Sequence, residues 1–221
     1  MEEKSLSVAF GDSLKEESIA CTSDLAEVGL DAVMEDGILK DIPIVSTAIA
    51  IYKIGSSIKE RHSIKKLLVF LNEINNGIAD EQKRKEYQRK FQRNEKFRNQ
   101  EVEYLLVLID RYTSYDKPKL LAKLYLAYLK GDIAWVEFVK YAEVIDLFLN
   151  GDLDHLVSHS ITYVPVSITE EDVIGRFYAC GLLAMVIRDQ AIASQFGTVR
   201  VNSMDGYALT QWGYKLRRIL K

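Results

Sequence analysis

Apolar residues recur every three or four positions through the middle of the chain, the spacing that places side chains on one face of an α-helix. The pattern is most regular over residues 99–150, where three apolar faces are separated by short polar turns. Asp116 and Pro118 are predicted to open the second helix and Gly131 to close it, and Asp132 is the predicted cap of the third. We therefore predict an antiparallel helical bundle. The predicted buried positions are Val102, Leu105, Leu106, Ile109, Leu120, Leu121, Leu124, Tyr125, Tyr128, Trp135, Phe138, Val139, Ala142, Ile145 and Phe148.

Another helix is predicted upstream, with Ser63 as its cap and Asn75-Asn76-Gly77 as its stop signal. Its apolar positions follow the i, i+3, i+4, i+7 rule, which places Lys65 and Lys66 on the opposite side. The helix should bury one face and expose the other. The predicted buried face is Ile64, Leu67, Leu68, Leu71 and Ile74.

The eleven residues from Ile42 to Tyr52 include no charged side chain and are apolar on all sides. Such a helix needs burial all round or contact with lipid. One interpretation is a central buried helix; the other is a segment, extended to Ile58, that enters or lies on a membrane after a trigger. The uncharged run covers only about half of a ~30 Å hydrocarbon core, which argues against a permanent span. The candidate membrane- or partner-contacting residues are Ile44, Ala48, Ile51, Tyr52 and Ile58.

Charge is unevenly distributed: residues 1–41 carry a net charge of −8 and residues 53–98 one of +7, within a total of −3. Most of the bases lie on a polar helix predicted from Asp80. This helix either binds a polyanion, with Tyr87 and Phe91 as stacking groups, or is a solvated helix whose two aromatic residues enter the core. Interspersed acids favour the solvated interpretation. The candidate polyanion-binding residues are Lys83, Arg84, Lys85, Arg89, Lys90 and Arg93.

The C-terminal part has a different pattern. Residues 160–168 alternate and are rich in β-branched side chains, which predicts an extended segment. A helix is predicted to follow and to continue through Val186. Two β-prone runs then flank Asp205-Gly206, a dipeptide that favours a hairpin turn. Thr210 is the predicted cap of a last short helix.

The sequence Tyr207-Ala208-Leu209-Thr210-Gln211-Trp212-Gly213-Tyr214-Lys215-Leu216 resembles the YxLTxxGxxL ending of winged-helix proteins. In that family a wing strand runs into a final helix, so the resemblance implies a small α+β tail that binds DNA or protein. The chain departs from the family pattern, because one clear helix precedes the hairpin instead of three. Its region Ala184–Gln195 also has a single base, Arg188. The overall layout resembles small bacterial phage-defence and abortive-infection proteins, from which no functional residue carries over.

The composition is that of a globular protein, with 48% hydrophobic and 28% charged residues among 221. We predict a mainly α fold with three parts. A flexible acidic arm covers residues 1–22, a helical domain with the apolar helix 42–58 covers 23–158, and a winged-helix-like α+β tail covers 160–221. The first residues lack the pattern of a signal peptide, which predicts a cytoplasmic protein. If the apolar helix 42–58 is membrane-active, the protein is expected to be peripheral to the inner membrane when activated.

Candidate chemistry is sparse. Cys21 and Cys180 are far apart and form no CxxC pair, so we expect two reduced thiols. His155 and His159 have the i, i+4 spacing of a zinc pair, but HExxH is absent and spacing indicates no third ligand, which favours surface histidines. Nucleophile, phosphate-loop and dinucleotide motifs are also missing. We expect no enzymatic activity, no metal and no cofactor.

Three functional hypotheses follow from these patterns. The first is a non-enzymatic bacterial defence or stress effector, or an immunity-type protein, that acts on a membrane when triggered. The second is a nucleic-acid-binding regulator that uses the basic helix 83–98 and the tail, although the tail is close to neutral. The third is a scaffold that binds another protein. A protein partner or a second copy of the chain is the favoured partner, ahead of a membrane and of nucleic acid.

Overall fold

The computed structural model describes residues 58–77, 95–149, 151–157, 163–165, 171–194 and 197–221. They form seven helices and a small antiparallel sheet near the C-terminus, which confirms the mainly helical fold. The chain divides into two compact units, Met1–Ala142 and Glu143–Lys221. The elements are α1 (Ile58–Gly77), α2 (Glu95–Arg111), α3 (Asp116–Leu129), α4 (Trp135–Leu147), α5 (Asp152–Val157), β1 (Tyr163–Pro165), α6 (Glu171–Ala179), β2 (Leu183–Ser194), β3 (Gly197–Leu209) and α7 (Gln211–Leu220).

In the first unit, α1 packs along α3. His62, near the start of α1, lies beside Tyr115 at the N-terminus of α3. Gly77, the last residue of α1, approaches the side chain of Leu126 near the end of α3. The two helices therefore run in the same general direction. All five positions predicted for the buried face of α1 are buried: Ile64, Leu67, Leu68, Leu71 and Ile74.

Two predictions about α1 are wrong. The helix already includes Ile58, so Ser63 lies inside it, and the Ser63 hydroxyl donates to the Asp110 carboxylate instead of capping. Lys66, predicted to face solvent, is only 2% exposed. Its Nζ donates to the backbone carbonyls of Asp110 and Tyr112, which lie at the C-terminal end of α2. The last carbonyls of a helix lack partners inside the helix, so they favour a nearby cation.

The antiparallel order of α2, α3 and α4 rests on contacts between their ends. Glu101, near the start of α2, accepts hydrogen bonds from Tyr125 and Tyr128 near the end of α3. Trp135, the first residue of α4, then stacks against Phe138 and contacts Tyr128. Most of the predicted core positions are buried. The exceptions, which are partly exposed, are Leu106, Tyr128, Trp135 and Val139.

The turn between α3 and α4 contains one confirmed and one wrong prediction. Gly131 closes α3 with a φ of +79°, and the Asp132 N–H donates to the carbonyl of Ala127, as in a Schellman motif. Asp132 was predicted to cap α4, but α4 begins at Trp135. There the Ala134 N–H donates to the Glu137 carboxylate over 3.0 Å, so the capping contact comes from inside the first turn.

The second unit contains the sheet, whose strand order is β1-β3-β2, antiparallel throughout. The extended segment predicted at residues 160–168 includes β1. The predicted helix through Val186 is wrong, because α6 ends at Ala179. Gly181, with a φ of +73°, closes α6, and the Leu182 N–H donates to the carbonyl of Phe177. This second Schellman motif turns the chain from helix directly into β2.

The predicted turn at Asp205-Gly206 is also wrong. These residues lie within β3, which pairs with β2 as far as Ser194 opposite Gly197. The register shifts at Asp205, since Val186 stands opposite Gly206 and Ile187 opposite Met204. Asp205 is therefore the extra residue of a β-bulge. Turns and bulges both need irregular backbone, which explains why one dipeptide is compatible with either.

Candidate interaction surface

The residues that resemble a winged-helix ending hold α7 against the turn before β2. Thr210 caps α7, accepting a hydrogen bond from the Gly213 N–H at 3.0 Å. The Thr210 hydroxyl donates to the carbonyl of Gly181, and its N–H donates to that of Leu182. Gly213 lies so close to this turn that a Cβ there would be 2.3 Å from the Leu182 oxygen. Thr210 and Gly213 of the motif thus each have a local structural role.

Next to this turn, α6 and the start of the hairpin expose large apolar side chains. Tyr178 is 46% exposed, Met185 41% and Ile187 60%. The Tyr178 ring meets that of Tyr207 edge-on, with centroids 5.6 Å apart, and Tyr207 stands opposite Met185 across the ladder. We call these four residues the apolar hairpin surface: Tyr178, Met185, Ile187 and Tyr207.

The apolar hairpin surface lies where side chains along the first part of β2 become exposed. Leu183, Met185 and Ile187 alternate along β2 and therefore share one face of the strand. Along that face the exposed fraction rises from 2% at Leu183 to 41% and then 60%. Among the described strands, β2 is one of the two outer ones and is hydrogen-bonded on one side to β3. The surface therefore borders a sheet edge.

Helix α6 carries a single base, Arg176, and that base is paired. Its guanidinium contacts both carboxylate oxygens of Asp152, at 2.7 and 3.0 Å, and reaches Asp172 at 3.3 Å. Asp152 is 1% exposed and also accepts the Leu149 N–H. The hydrogen bonds that Arg176 donates to the Asp152 carboxylate raise the pKa of Arg176, which keeps its charge fixed. Arg176 is therefore engaged by acids within its own unit, which disfavours α6 as a helix that contacts phosphates.

Cys180 lies just after α6, beside the same ion pair. Burial raises the pKa of the Cys180 thiol, and the nearby Asp152 carboxylate raises it further, while Arg176 acts in the opposite direction. A nucleophilic cysteine needs a depressed pKa. The environment of Cys180 therefore favours an unreactive thiol.

In the first unit, polar side chains meet at the N-terminal half of α1. The Nδ1 atom of His62 is 2.7 Å from the Tyr115 hydroxyl, and Lys65 lies over the Tyr115 ring. Burial lowers the pKa of His62, and the neighbouring Lys66 lowers it further. Burial likewise lowers the pKa of Lys66, against the opposing effect of Asp110. These contacts join α1 to the end of α2 and the start of α3, so they account for helix packing.

The described part of the chain holds no group of three or more His, Cys, Asp or Glu side chains close enough together to bind a metal ion. His155 lies on α5 and is partly exposed, while His159 lies outside the described residues. Among the described helices, none has the length and apolar character needed to cross a membrane.

Most of the site residues predicted from sequence fall outside the described ranges. Of the apolar segment, the structure describes only Ile58, as the first residue of α1. The remaining members of that set lie outside, as does the whole predicted polyanion-binding set. The predicted site residues outside are Ile44, Ala48, Ile51, Tyr52, Lys83, Arg84, Lys85, Arg89, Lys90 and Arg93, and Cys21 lies outside as well. Their roles stay predictions.

Comparisons with known proteins give no further guide to the site. No protein-family model matches the chain. No curated protein and no solved structure matches it either.

Sequence reasoning missed the apolar hairpin surface because it extended α6 as far as Val186. A helix would have placed Met185 and Ile187 on different faces. The signal that identifies the surface is Gly181, which ends the helix and leaves the following residues to alternate as a strand.

Proposed function

We propose that this protein is a non-enzymatic binding protein that self-associates through the apolar hairpin surface. The observation that carries the proposal is the solvent exposure of Tyr178, Met185 and Ile187, whose exposed fractions lie between 41% and 60%. Clustered apolar side chains at the surface of a soluble unit mark sites of protein contact. Arg176, the single base of α6, is paired with two acids, which disfavours contact of α6 with phosphates. This pairing agrees with a tail that binds protein.

The winged-helix resemblance supports this proposal at the level of layout. A strand, one helix, a long hairpin and a final helix follow one another, and the first strand pairs with the last. The tail is thus proposed to be winged-helix-like, with α6 preceding the wing. Its exposed apolar side chains favour protein contact over the reading of DNA bases.

The occupant that we assign to the surface is a second copy of the chain. None of the four residues of the apolar hairpin surface is charged, so two copies of the surface meet without like-charge repulsion. A two-fold interface needs such self-complementarity, because the same patch contributes from both sides. The two aromatic residues, Tyr178 and Tyr207, also belong to the residue types enriched at interfaces.

Sedimentation equilibrium tests the proposal on purified full-length protein. The wild-type chain should form a dimer, and Ile187→Glu should weaken the dimer by about tenfold or more, since it buries a charge in an apolar contact. The matched control is Val107→Glu on α2, which is 59% exposed and lies in the other unit. A monomeric wild type at all concentrations, or equal weakening by both variants, contradicts self-association. A monomer that instead binds a different protein through Ile187 also overturns it.

The membrane-active effector is the second candidate, and the uncharged run Ile42–Tyr52 favours it. Self-association through the tail brings two copies of this segment into one dimer, and a short segment needs such association in order to perturb a bilayer. Ile51→Asp should abolish vesicle leakage, because a charged group at mid-bilayer costs about 3 kcal/mol. Trp135→Ala serves as a control for loss of stability. Leakage that persists in Ile51→Asp, or its absence in the wild type under every trigger, removes this candidate.

The same effector hypothesis predicts a role in bacterial defence. Cells that express the chain should resist phage infection, and Ile51→Asp should remove that resistance without changing expression. Equal plaque counts with wild-type and empty vector contradict the defence role while leaving self-association intact.

A further inference from the structure

Helix α7 has one buried face and one exposed face. Gly213, Leu216 and Leu220 are buried and hold the helix in the second unit. The exposed positions follow the same helical spacing on the other side. They are Gln211, Tyr214 and Arg218, and the exposed Lys221 follows as the C-cap of the helix.

The exposed face of α7 is strongly basic. Residues 206–221 include four bases and no acid. Arg218 and Lys221 lie on the exposed stripe, and Lys215 and Arg217 flank it with partial exposure. The helix dipole favours cations in the last turn.

An aromatic ring accompanies these cations. Tyr214 is 41% exposed, and the Arg217 guanidinium lies over its ring, 4.9 Å from the centroid. A guanidinium can bind two phosphate oxygens at once, and an exposed tyrosine ring can stack on a base. Cations spaced along a helix beside an exposed ring are what a single-stranded nucleic acid requires, since it presents phosphates and unstacked bases together.

We propose that the exposed face of α7 binds single-stranded nucleic acid, with Arg218 and Lys221 on the phosphates and Tyr214 stacked on a base. An anionic membrane is the competing ligand for a basic helix. Membrane-surface helices insert their apolar face into the lipid. In α7 that face is Gly213, Leu216 and Leu220, which are buried within the fold. This inference is independent of self-association, because α7 contributes no residue to the apolar hairpin surface.

Fluorescence anisotropy with a labelled single-stranded oligonucleotide of mixed sequence tests the proposal on the full chain. The wild type should bind at low salt, with affinity that falls as salt rises. The double variant Arg218→Glu/Lys221→Glu should bind about tenfold more weakly or worse. Its control is Lys130→Glu/Lys140→Glu, an equal charge change at two exposed lysines of the first unit. Binding equal to wild type in the α7 variant, or equal loss in the control, overturns the proposal.

Tyr214→Leu separates base stacking from charge attraction. It should weaken binding about fivefold or more while leaving the slope of affinity against salt unchanged, since no cation is removed. An unchanged affinity overturns the assignment to a single strand. Flotation with vesicles of phosphatidylcholine and phosphatidylglycerol tests the competing ligand. Binding to these vesicles without binding to the oligonucleotide overturns the proposal.

Discussion

The ammonium group of Lys66 donates to the backbone carbonyl of Tyr112 over 2.8 Å in the interior of the first unit. A second hydrogen bond, to the carbonyl of Asp110 at 2.7 Å, places one cation on two of the carbonyls at the end of α2. Lys66 is 2% exposed, so its hydrogen bonds are largely shielded from solvent. Lys66 thus links α1 to α2 through backbone that has no partner within its own helix.

Replacing Lys66 by methionine should therefore destabilise the first unit. The variant keeps most of the buried volume but leaves two carbonyls without their donor, at a cost of about 1–3 kcal/mol. Urea unfolding followed by circular dichroism measures the loss. The control is Lys65→Met at the adjacent, partly exposed position, which should change the free energy of unfolding far less. Equal effects at both positions contradict the capping role of Lys66.

Glu101 predicts a dependence of stability on pH. Burial raises the pKa of this carboxyl, and the hydrogen bonds from Tyr128 and Tyr125 lower it only in part. The folded chain therefore binds this proton more tightly than the unfolded chain does. The stabilisation from Glu101 is complete below the unfolded pKa and is lost as pH rises through the folded pKa.

Glu101→Gln tests this dependence, because an amide mimics the neutral acid at every pH. The free energy of unfolding of the variant, relative to wild type, should increase between about pH 4 and about pH 7. Urea titrations at both values measure it. Glu103→Gln, at an exposed position of α2, is the control and should show no such trend. A relative stability that falls over this interval contradicts the raised pKa.

In the second unit, the buried Asp152 should matter more than the exposed Asp172, although both contact Arg176. The side chain of Asp152 is 1% exposed and that of Asp172 is 74% exposed, so water screens the second pair far more. Asp152→Asn should lower the melting temperature by about 4 °C or more, whereas Asp172→Asn should change it by about 1 °C or less. Scanning calorimetry distinguishes them. Equal shifts contradict the different burial of the two pairs.

The parts of the fold that sequence predicts well are those governed by local spacing. The buried face of α1 and the end of α3 at Gly131 follow from periodicity and from glycine's tolerance of positive φ. Gly181 closes α6 by the same motif. The apolar residues that follow Gly181 also fit helical spacing, so the sequence pattern does not show that the helix ends there. Whether such residues continue a helix or begin a strand depends on pairing with β3, which lies far along the chain.

Two other features were predicted wrongly because they depend on contacts with distant parts of the chain. Asp205-Gly206 has a turn signature, and only the pairing of both flanking runs with other strands turns it into a bulge. Lys66 lies among polar positions of α1 by spacing, and only the approach of the α2 terminus makes it a buried donor. For the candidate surface, sequence identifies Tyr207 and the α7 motif, whereas exposure of Ile187 requires the three-dimensional hairpin.

Gly213 offers the sharpest test of how α7 is held. A Cβ at this position would lie 2.3 Å from the carbonyl oxygen of Leu182, a backbone atom that moves only if the turn before β2 shifts. Gly213→Ala should therefore cost about 1–3 kcal/mol, the usual penalty of overpacking. The matched control is Gly175→Ala in α6, where a Cβ meets no atom within 4 Å. That substitution should stabilise by up to about 1 kcal/mol, because alanine is the better helix former. Chemical unfolding should show a lower free energy of unfolding for Gly213→Ala and a higher one for Gly175→Ala, each relative to wild type. A stabilising Gly213→Ala contradicts the close approach of α7 to Leu182.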